Sequence, residues 1–564
     1  MVLLRFIFFI SIIFCSAQNP YPQDYFSNPI KEKLVLSGTF AELRSNHFHG
    51  GLDIKTNGKE GLNIYSAARG YVSRIKISRN GYGKAIYITH PNGYTTVYAH
   101  LQKFTPKIEE YVKSKQYKNE KFEIQLFPTK EELRISNNEI IAYSGNTGGS
   151  SGPHLHFEIR DDKERPINPM LFGIDIKDTT RPLLKGLYAY PLTKQSQING
   201  KKLRQKIRLI KQADGNYKSE IIKAFGAIGF GVISNDRQDN ADNKNGVYLI
   251  KTYLNEKKIL EVDFKRFSFD ESKHINRYID YKYFSTNKKR IQKLFIQKNN
   301  PLSLFSFNEN KGQIEVAEHN RAKYVVEILD FKKNKTSIEI QIVGEAPKPV
   351  NILKKSSNLT FINSSEPSSL SKGNFRVEIP KNTFYENTNI NFDVKNDTLK
   401  LDKPIIPLQK AIDINFKVDH YPNEDVKFLF IGSVSNSGKL SYITTKQKGN
   451  NLTSRTKKLG TYTIGIDKKG PKINPLNFKD KSWLSNTRYL KIKVSDDISG
   501  VKNYRATVNG KWILMEYDSK TSTLTHDFND GIVTETENNL NLIATDNMGN
   551  NTKFECIFYR KLKN

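Results

Sequence analysis

The sequence predicts a mostly β protein of several domains, and three observations carry that prediction. At 564 residues the chain exceeds what one hydrophobic core organises, and about three to five domains are expected. Short alternating runs of apolar and polar residues, such as Gly70–Ile77, Ala85–Thr89 and Tyr94–Leu101, are separated by turn signals. Few segments hold a helical period, Glu109 to about Lys118 being the clearest.

Taken in chain order, residues 1–17 read as a secretory signal peptide. Arg5 precedes an apolar run from Phe6 to Phe14, and Ser16-Ala17 stand before Gln18. That run is too short to span a bilayer, so cleavage is expected, leaving no transmembrane segment in the mature chain. The protein is then exported to the periplasm, the cell envelope or the extracellular space. Of the two cysteines, Cys15 leaves with the signal and Cys556 remains as a lone thiol. No small-residue pattern precedes Cys15 to mark it for lipid attachment. Without an internal disulfide, the fold rests on its cores and on any bound metal.

Residues 30–175 form the first expected domain. Asn80-Gly81 and Pro91-Asn92-Gly93 punctuate its strands as tight turns. Six of the ten histidines lie before residue 157, which places the chemistry here. The remainder divides into β-sandwiches at 178–345, 346–467 and 468–564, with Pro347-Lys348-Pro349 as a linker. The first and last of these share a pattern. Asp178-Thr179-Thr180-Arg181-Pro182 resembles Asp467-Lys468-Lys469-Gly470-Pro471, and the stretch from Val326 through Asp330 to Thr336 echoes that from Leu542 through Asp546 to Thr552.

The formal charge of +31 attracts polyanions. Nucleic acid is a poor partner for an exported chain with evenly spread lysines and no nucleic-acid motif. Anionic envelope polymers fit better, and an AT-rich genome favouring Lys, Asn and Ile yields the same composition with no partner at all.

The richest motif is His154-Leu155-His156-Phe157-Glu158-Ile159, behind the Gly/Ser-rich run from Ser144 to Pro153. On a strand, His154, His156 and Glu158 share one face while Leu155, Phe157 and Ile159 face a core. Two imidazoles on a rigid strand suit a metal ligand beside an acid/base group. His49-Gly50-Gly51-Leu52-Asp53 supplies the other half. The glycines argue against a helix between His49 and Asp53, so a strand end or loop is expected, with the backbone bending close to the metal. His49, Asp53 and His156 are the expected ligands, leaving one position open for water as in a zinc hydrolase. His154 and His100 remain for proton work, with Tyr98 and His100 expected on one strand face. Glu158 is either a base or the partner that orients a ligand histidine. His47 reads as a neighbour of the site or a surface residue, His90 as a solvated turn residue, and His274, His319, His420 and His526 as surface.

His49-x3-Asp53, Tyr98-Ala99-His100-Leu101, and Gly145-Asn146-Thr147-Gly148 leading into Gly152-Pro153-His154-Leu155-His156-Phe157-Glu158 together resemble the lysostaphin/LytM-type zinc endopeptidases, the beta-lytic metallopeptidase family. The resemblance covers roughly residues 40–172. It implies an antiparallel β fold described as a duplicated hybrid motif, and one zinc held by His49, Asp53 and His156. It also implies that His154 and His100 are the catalytic histidines, acting in hydrolysis of peptide bonds in peptidoglycan stem peptides or cross-links. Degenerate relatives lose ligands and act as amidase activators, so a non-catalytic wall-binding protein is the alternative. All five positions are intact here.

Between Leu101 and Ile140 the chain is longer than the family's usual connection and is rich in lysine. Residues 107–131 are either a wall or lid of the groove, meeting stem-peptide carboxylates, or a surface elaboration. The C-terminal domains have immunoglobulin-like texture. They are expected to position the enzyme on the wall or to bind other envelope proteins. Asp and Asn at their turns serve a structural role or hold calcium.

Overall fold

The structure, a computed structural model, describes residues 19–239, 241–349 and 359–561. The expected signal peptide and Cys15 lie outside the described residues. Strand His154–Arg160 sits inside a nine-stranded sheet, between Leu52–Lys55 and Thr95–Leu101. Antiparallel pairing sets His156 opposite Asp53 on one side and Ala99 on the other. Leu36–Gly38 extends one edge, while Lys84–Thr89, Gly70–Ile77 and Ile124–Leu126 extend the other.

The alternation read from the sequence directs Leu155, Phe157 and Ile159 into the main core, where each is fully buried. His156, Glu158 and Arg160 occupy the opposite face, which is also covered. Tyr82 stacks on His156, and the Arg160 guanidinium lies over the rings of Tyr87 and Phe269. Polar groups on a face this dry must find partners or lose stability.

Gly81 and Gly93 take positive φ values of 63° and 86°, as the two turn signals require. Helix Pro106–Asn119 has Pro in its first turn, buries Ile108, Val112 and Gln116 at four-residue spacing, and stops at Glu120 in the left-handed region. This helix begins the lysine-rich segment, and its place corrects the lid expectation. Its Tyr117 ring packs on Trp512 at 5.1 Å, and the Tyr117 hydroxyl donates to Asp530. Glu120 pairs with Arg505 at 2.6 Å. Residues 107–131 therefore abut the last domain and contribute nothing to the lining of the groove.

Beyond the first sheet, thirteen strands between Leu183 and Gly344 pair into one continuous system that carries three short helices, Phe269–Ser272, Ile275–Tyr278 and Tyr281–Asn287. Its apolar core is continuous with that of the first sheet, from Phe26 to Ile342. Two further units follow. Six- and five-stranded sheets enclose a core from Ile362 to Tyr462, and four- and five-stranded sheets enclose one from Phe478 to Phe558. The two similar segments near Asp330 and Asp546 both form turns of antiparallel hairpins.

Three histidines differ from expectation. His90 is buried, held by the Arg69 carbonyl and the Thr96 hydroxyl, and burial pushes its imidazole down to about 4. His274 is buried against the Tyr385 hydroxyl at 2.7 Å. His526 is fully buried and donates to the Leu514 carbonyl at 3.0 Å. A lone imidazole buried against one or two polar partners leaves no periodic signal in sequence. His319 and His420 are exposed, and His47 lies exposed at the groove rim.

Candidate metal centre and groove

The sheet brings His49, Asp53 and His156 together. His49 Nε2 lies 2.9 Å from Asp53 Oδ1, His156 Nδ1 lies 2.9 Å from the same oxygen, and the two nitrogens are 3.1 Å apart. His49 precedes strand Leu52–Lys55 in a loop, as its glycines indicated, although the reason is a different one. A Cβ on Gly51 would sit 2.2 Å from the Phe157 carbonyl oxygen, so the glycine admits the neighbouring strand rather than the metal.

Hydrogen bonding at the far side of each ring shows what the three atoms can do. His49 Nδ1 contacts the Thr39 carbonyl at 2.7 Å, and a carbonyl only accepts, so Nδ1 carries the proton and Nε2 a lone pair. His156 Nε2 donates to Glu158 Oε1 at 2.7 Å, which frees Nδ1 for a ligand. Two ring nitrogens and a carboxylate oxygen thus converge on one point, and each nitrogen offers a lone pair to a metal once its ring is neutral. Tetrahedral zinc at about 2.0–2.1 Å from each ligand would space them at roughly 3.3 Å, close to the spacing seen. The donor set fits zinc.

Electrostatics agree. Asp53 is held well below the usual carboxylate range by His49, His154 and His156, although burial favours its neutral form. Burial also disfavours charge on His156, but Asp53 and Glu158 outweigh it and push this imidazole up to about 9 when no cation shares the carboxylates. Glu158 is fully buried, yet Arg160 and His156 hold it down to about 2. Arg160 Nε donates to Glu158 Oε2 at 2.6 Å. Glu158 is thereby placed as the orienting partner of His156 and is too well paired to serve as a base.

His154 and His100 face the same groove, their rings 4.8 Å apart. His154 Nδ1 donates to the Gly152 carbonyl at 2.8 Å, and its Nε2 lies 3.4 Å from Asp53 Oδ1. His100 Nδ1 donates to the Thr147 carbonyl at 2.8 Å, so Nε2 carries the lone pair of its neutral ring. Burial, reinforced by His156 and His154, pushes His100 down to about 3, so it is neutral at rest. Tyr98 and His100 do not share a face, which corrects the alternation. Opposite Lys84–Ile86 the strand Thr95–Leu101 carries an extra residue, and His100 has φ +61°. The bulge turns His100 into the groove while Tyr98 stays in the core beside Phe157.

Three groove residues escaped the sequence reading. Tyr82 donates its hydroxyl to Glu158 and its carbonyl accepts from His100 N at 2.9 Å. Arg44 Nη2 reaches Asp53 Oδ2 at 3.0 Å. Asn243 lines the groove, of about 930 Å³, from the second β unit. The turn Gly81-Tyr82-Gly83 was the available signal for Tyr82; nothing in the pattern marks the other two.

Residues 47–117 and 122–169 match the peptidase family M23 profile. The first domain is an M23 peptidase domain. A second match, to a Zu5-like domain, spans residues 360–467. The DD-carboxypeptidase/endopeptidase Mpg of Neisseria meningitidis is 29% identical over 139 residues, covering 25% of this chain and 26% of that protein. The cell division protein DipM of Caulobacter vibrioides is 25% identical, covering 26% of this chain and 20% of its own length. The chain thus spans about a quarter or less of these relatives. Among solved structures, the catalytic domain of lysostaphin from Staphylococcus simulans aligns at 21% identity and a TM-score of 0.19, covering 24% of this chain and 90% of that one. The M23 domain carries the His/Asp cluster, and the domains after it are β throughout most of their length.

Proposed function

We propose that this chain is an exported zinc endopeptidase that hydrolyses peptide bonds in peptidoglycan stem peptides or cross-links. The observation carrying this reading is the convergence of His49 Nε2, His156 Nδ1 and Asp53 Oδ1, with both ring tautomers set by far-side acceptors. His49, Asp53 and His156 would hold one zinc per chain. When bound, the ion supplies the positive charge that acidifies water and polarises a peptide carbonyl.

The chain's own groups do the proton work. His154 Nε2, the ring nitrogen left open by the Nδ1 contact with the Gly152 carbonyl and 3.4 Å from Asp53 Oδ1, takes the proton of the attacking water when the ring is neutral. The resulting imidazolium returns it to the leaving amine. His100 is also a bare acceptor at rest, so it steadies an oxyanion only once it carries a proton. Tyr82 and Arg160 keep Glu158, and through it His156, in place. The high positive charge favours residence on anionic wall polymers.

Muropeptide release from purified sacculi, with zinc content measured on the same sample and His156→Ala alongside, tests the proposal. About one zinc and cleavage that both fall in the variant are expected, and the products name the bond. Zinc without cleavage would favour the non-catalytic wall-binding reading, and absence of zinc would remove the metal assignment itself.

A further inference from the structure

Away from the groove, Asp178, Asp236 and Asp330 bring carboxylate oxygens within 4.8 Å of one another. They come from separate places. Asp178 lies on the segment entering the second β unit, Asp236 follows strand Ile222–Asn235, and Asp330 follows strand Arg321–Leu329. Asp236 and Asp330 are only 5% and 2% exposed. Like charges this close and this dry repel one another. Burial, with the neighbouring carboxylates adding to it, pushes Asp178 up to about 6 and Asp236 up to about 8.

Local donors satisfy part of the cluster. Thr180 N–H donates to Asp178 Oδ1 at 2.9 Å, and Asn334 donates to both Asp330 oxygens, at 2.8 and 2.7 Å. Two oxygens receive nothing: Asp236 Oδ1 and Asn245 Oδ1 are both buried without a hydrogen-bond partner. Asn245 is 3% exposed and is locked beside Asp236 by two backbone hydrogen bonds of 2.8 and 2.9 Å. Asp178, Asp236 and Asn245 line one cavity of about 30 Å³, room for an ion or a water and no organic ligand. Lys332 also borders it, but its ammonium is engaged by Asp175.

The last domain repeats the scaffold. Asp467, Asp496 and Asp546 converge over the same span. Asn550 donates to Asp546 at 2.8 and 2.7 Å and to the Asp467 carbonyl at 2.9 Å, as Asn334 donates to Asp330 and, at 3.1 Å, to the Asp178 carbonyl. Lys469 N–H stands to Asp467 as Thr180 N–H stands to Asp178. The Asp-x3-Asn turn accounts for Asp330 and Asp546. It does not account for Asp236, a buried third carboxylate from a different strand; its counterpart Asp496 is only half-buried and accepts from the Ile498 and Gly500 N–H groups.

We propose that Asp178, Asp236, Asp330 and the Asn245 side-chain oxygen form a calcium site at the junction between the M23 domain and the second β unit. An all-oxygen, strongly anionic set selects a hard cation over zinc. A cavity without room for several retained waters favours calcium over magnesium. The site ties Asp178, on the connecting segment, to the loop that carries Asn245 and, two residues before it, the groove residue Asn243.

Equilibrium dialysis of the full mature chain against calcium chloride at pH 7.5, in metal-stripped buffer with zinc held constant, tests this. Asp236→Asn should bind one calcium fewer than the parent, while His156→Ala should bind the same number. Without calcium, Asp236→Asn should melt at or above the parent temperature, because a repelling charge is gone; millimolar calcium should raise the parent's Tm more than the variant's. Asn245→Ala, which spares every carboxylate, should weaken binding several-fold and serves as the second variant should Asp236→Asn fold poorly. Equal calcium counts in parent and Asp236→Asn, or none in the parent at millimolar calcium, would overturn the site.

Discussion

Replacing Glu158 by Gln removes one charge from a fully buried carboxylate beneath the groove, paired on both oxygens, and keeps its shape. Glu158 accepts from His156 Nε2 at 2.7 Å, from Arg160 Nε at 2.6 Å and from the Tyr82 hydroxyl. A glutamine offers one oxygen for these three donors, and its NH2 group faces another N–H whichever way it turns. Two losses follow. Arg160, only 6% exposed at its side chain, keeps Glu164 at 2.9 Å but loses its buried partner, which costs about 3–5 kcal/mol for an interior pair and less here because Glu164 remains. His156 faces either an NH2 group or, when the amide oxygen turns its way at the expense of Arg160, a weaker neutral acceptor, and such supporting contacts contribute about 10–100-fold to metal affinity, or about 1.4–2.8 kcal/mol. Competition with a chromophoric chelator measures the affinity, and a thermal melt separates it from stability. Tyr82→Phe, which removes one of the three donors and no charge, should show a smaller change in the same direction. Zinc affinity within twofold of the parent in Glu158→Gln would refute the claim that Glu158 orients a ligand.

Other consequences can be checked independently. Metal-free protein should lose stability as pH rises. His156 is raised from 6.5 to about 9 in the folded state, so its contribution is complete below 6.5 and disappears as pH climbs through 9, visible in urea titrations at several pH values. Zinc uptake at pH 7.5 should accordingly release a proton, seen by calorimetry in buffers of different ionisation enthalpy. Gly51→Ala should abolish zinc binding, since its Cβ would lie 2.2 Å from the Phe157 carbonyl oxygen; unchanged zinc content would count against the packing argument. His100→Ala should retain zinc while muropeptide release falls by about 10²–10⁴-fold. Glu516→Gln should destabilise the M23 domain by about 1–3 kcal/mol, because Lys84 is buried with both carboxylate oxygens of Glu516 at 2.9 Å; Glu516 is 40% exposed, so screening keeps the loss below that of a fully interior pair.

The His154–Ile159 strand was legible because period-two alternation and ligand spacing coincide in it. The His49–Asp53 half was legible because two glycines between a histidine and an aspartate exclude a helix. His100 was found as a groove residue, but for an incomplete reason. A bulge inserts a residue without altering composition, so alternation put Tyr98 and His100 on one face where the backbone separates them. Tyr82 and Asn243 reach the groove from 76 residues before Glu158 and from the second β unit, and although a glycine turn flags Tyr82, no local pattern encodes such distances; Arg44 lies only nine residues from Asp53, but nothing in its surroundings marks it. The lysine-rich segment misled because its charge suggested substrate, whereas Tyr117 and Glu120 decide its place by binding Trp512, Asp530 and Arg505.

That last contact brings the M23 domain against the last β unit. Lys84 lies in the M23 sheet and its counter-ion arrives 432 residues later; Asn146, in the loop between Gly145 and Gly148, is grasped by Lys520. A polypeptide emerging from its N-terminus therefore exposes the M23 sequence long before the groups that complete it. A product truncated ahead of Glu516 lacks the carboxylate that holds the Lys84 ammonium with both its oxygens. For a protein proposed to cut the wall that keeps a cell intact, this joins sturdiness of the M23 domain to the presence of the last β unit. Fragments left by stalled synthesis or proteolysis would be the weaker molecules, and the full-length protein the durable one.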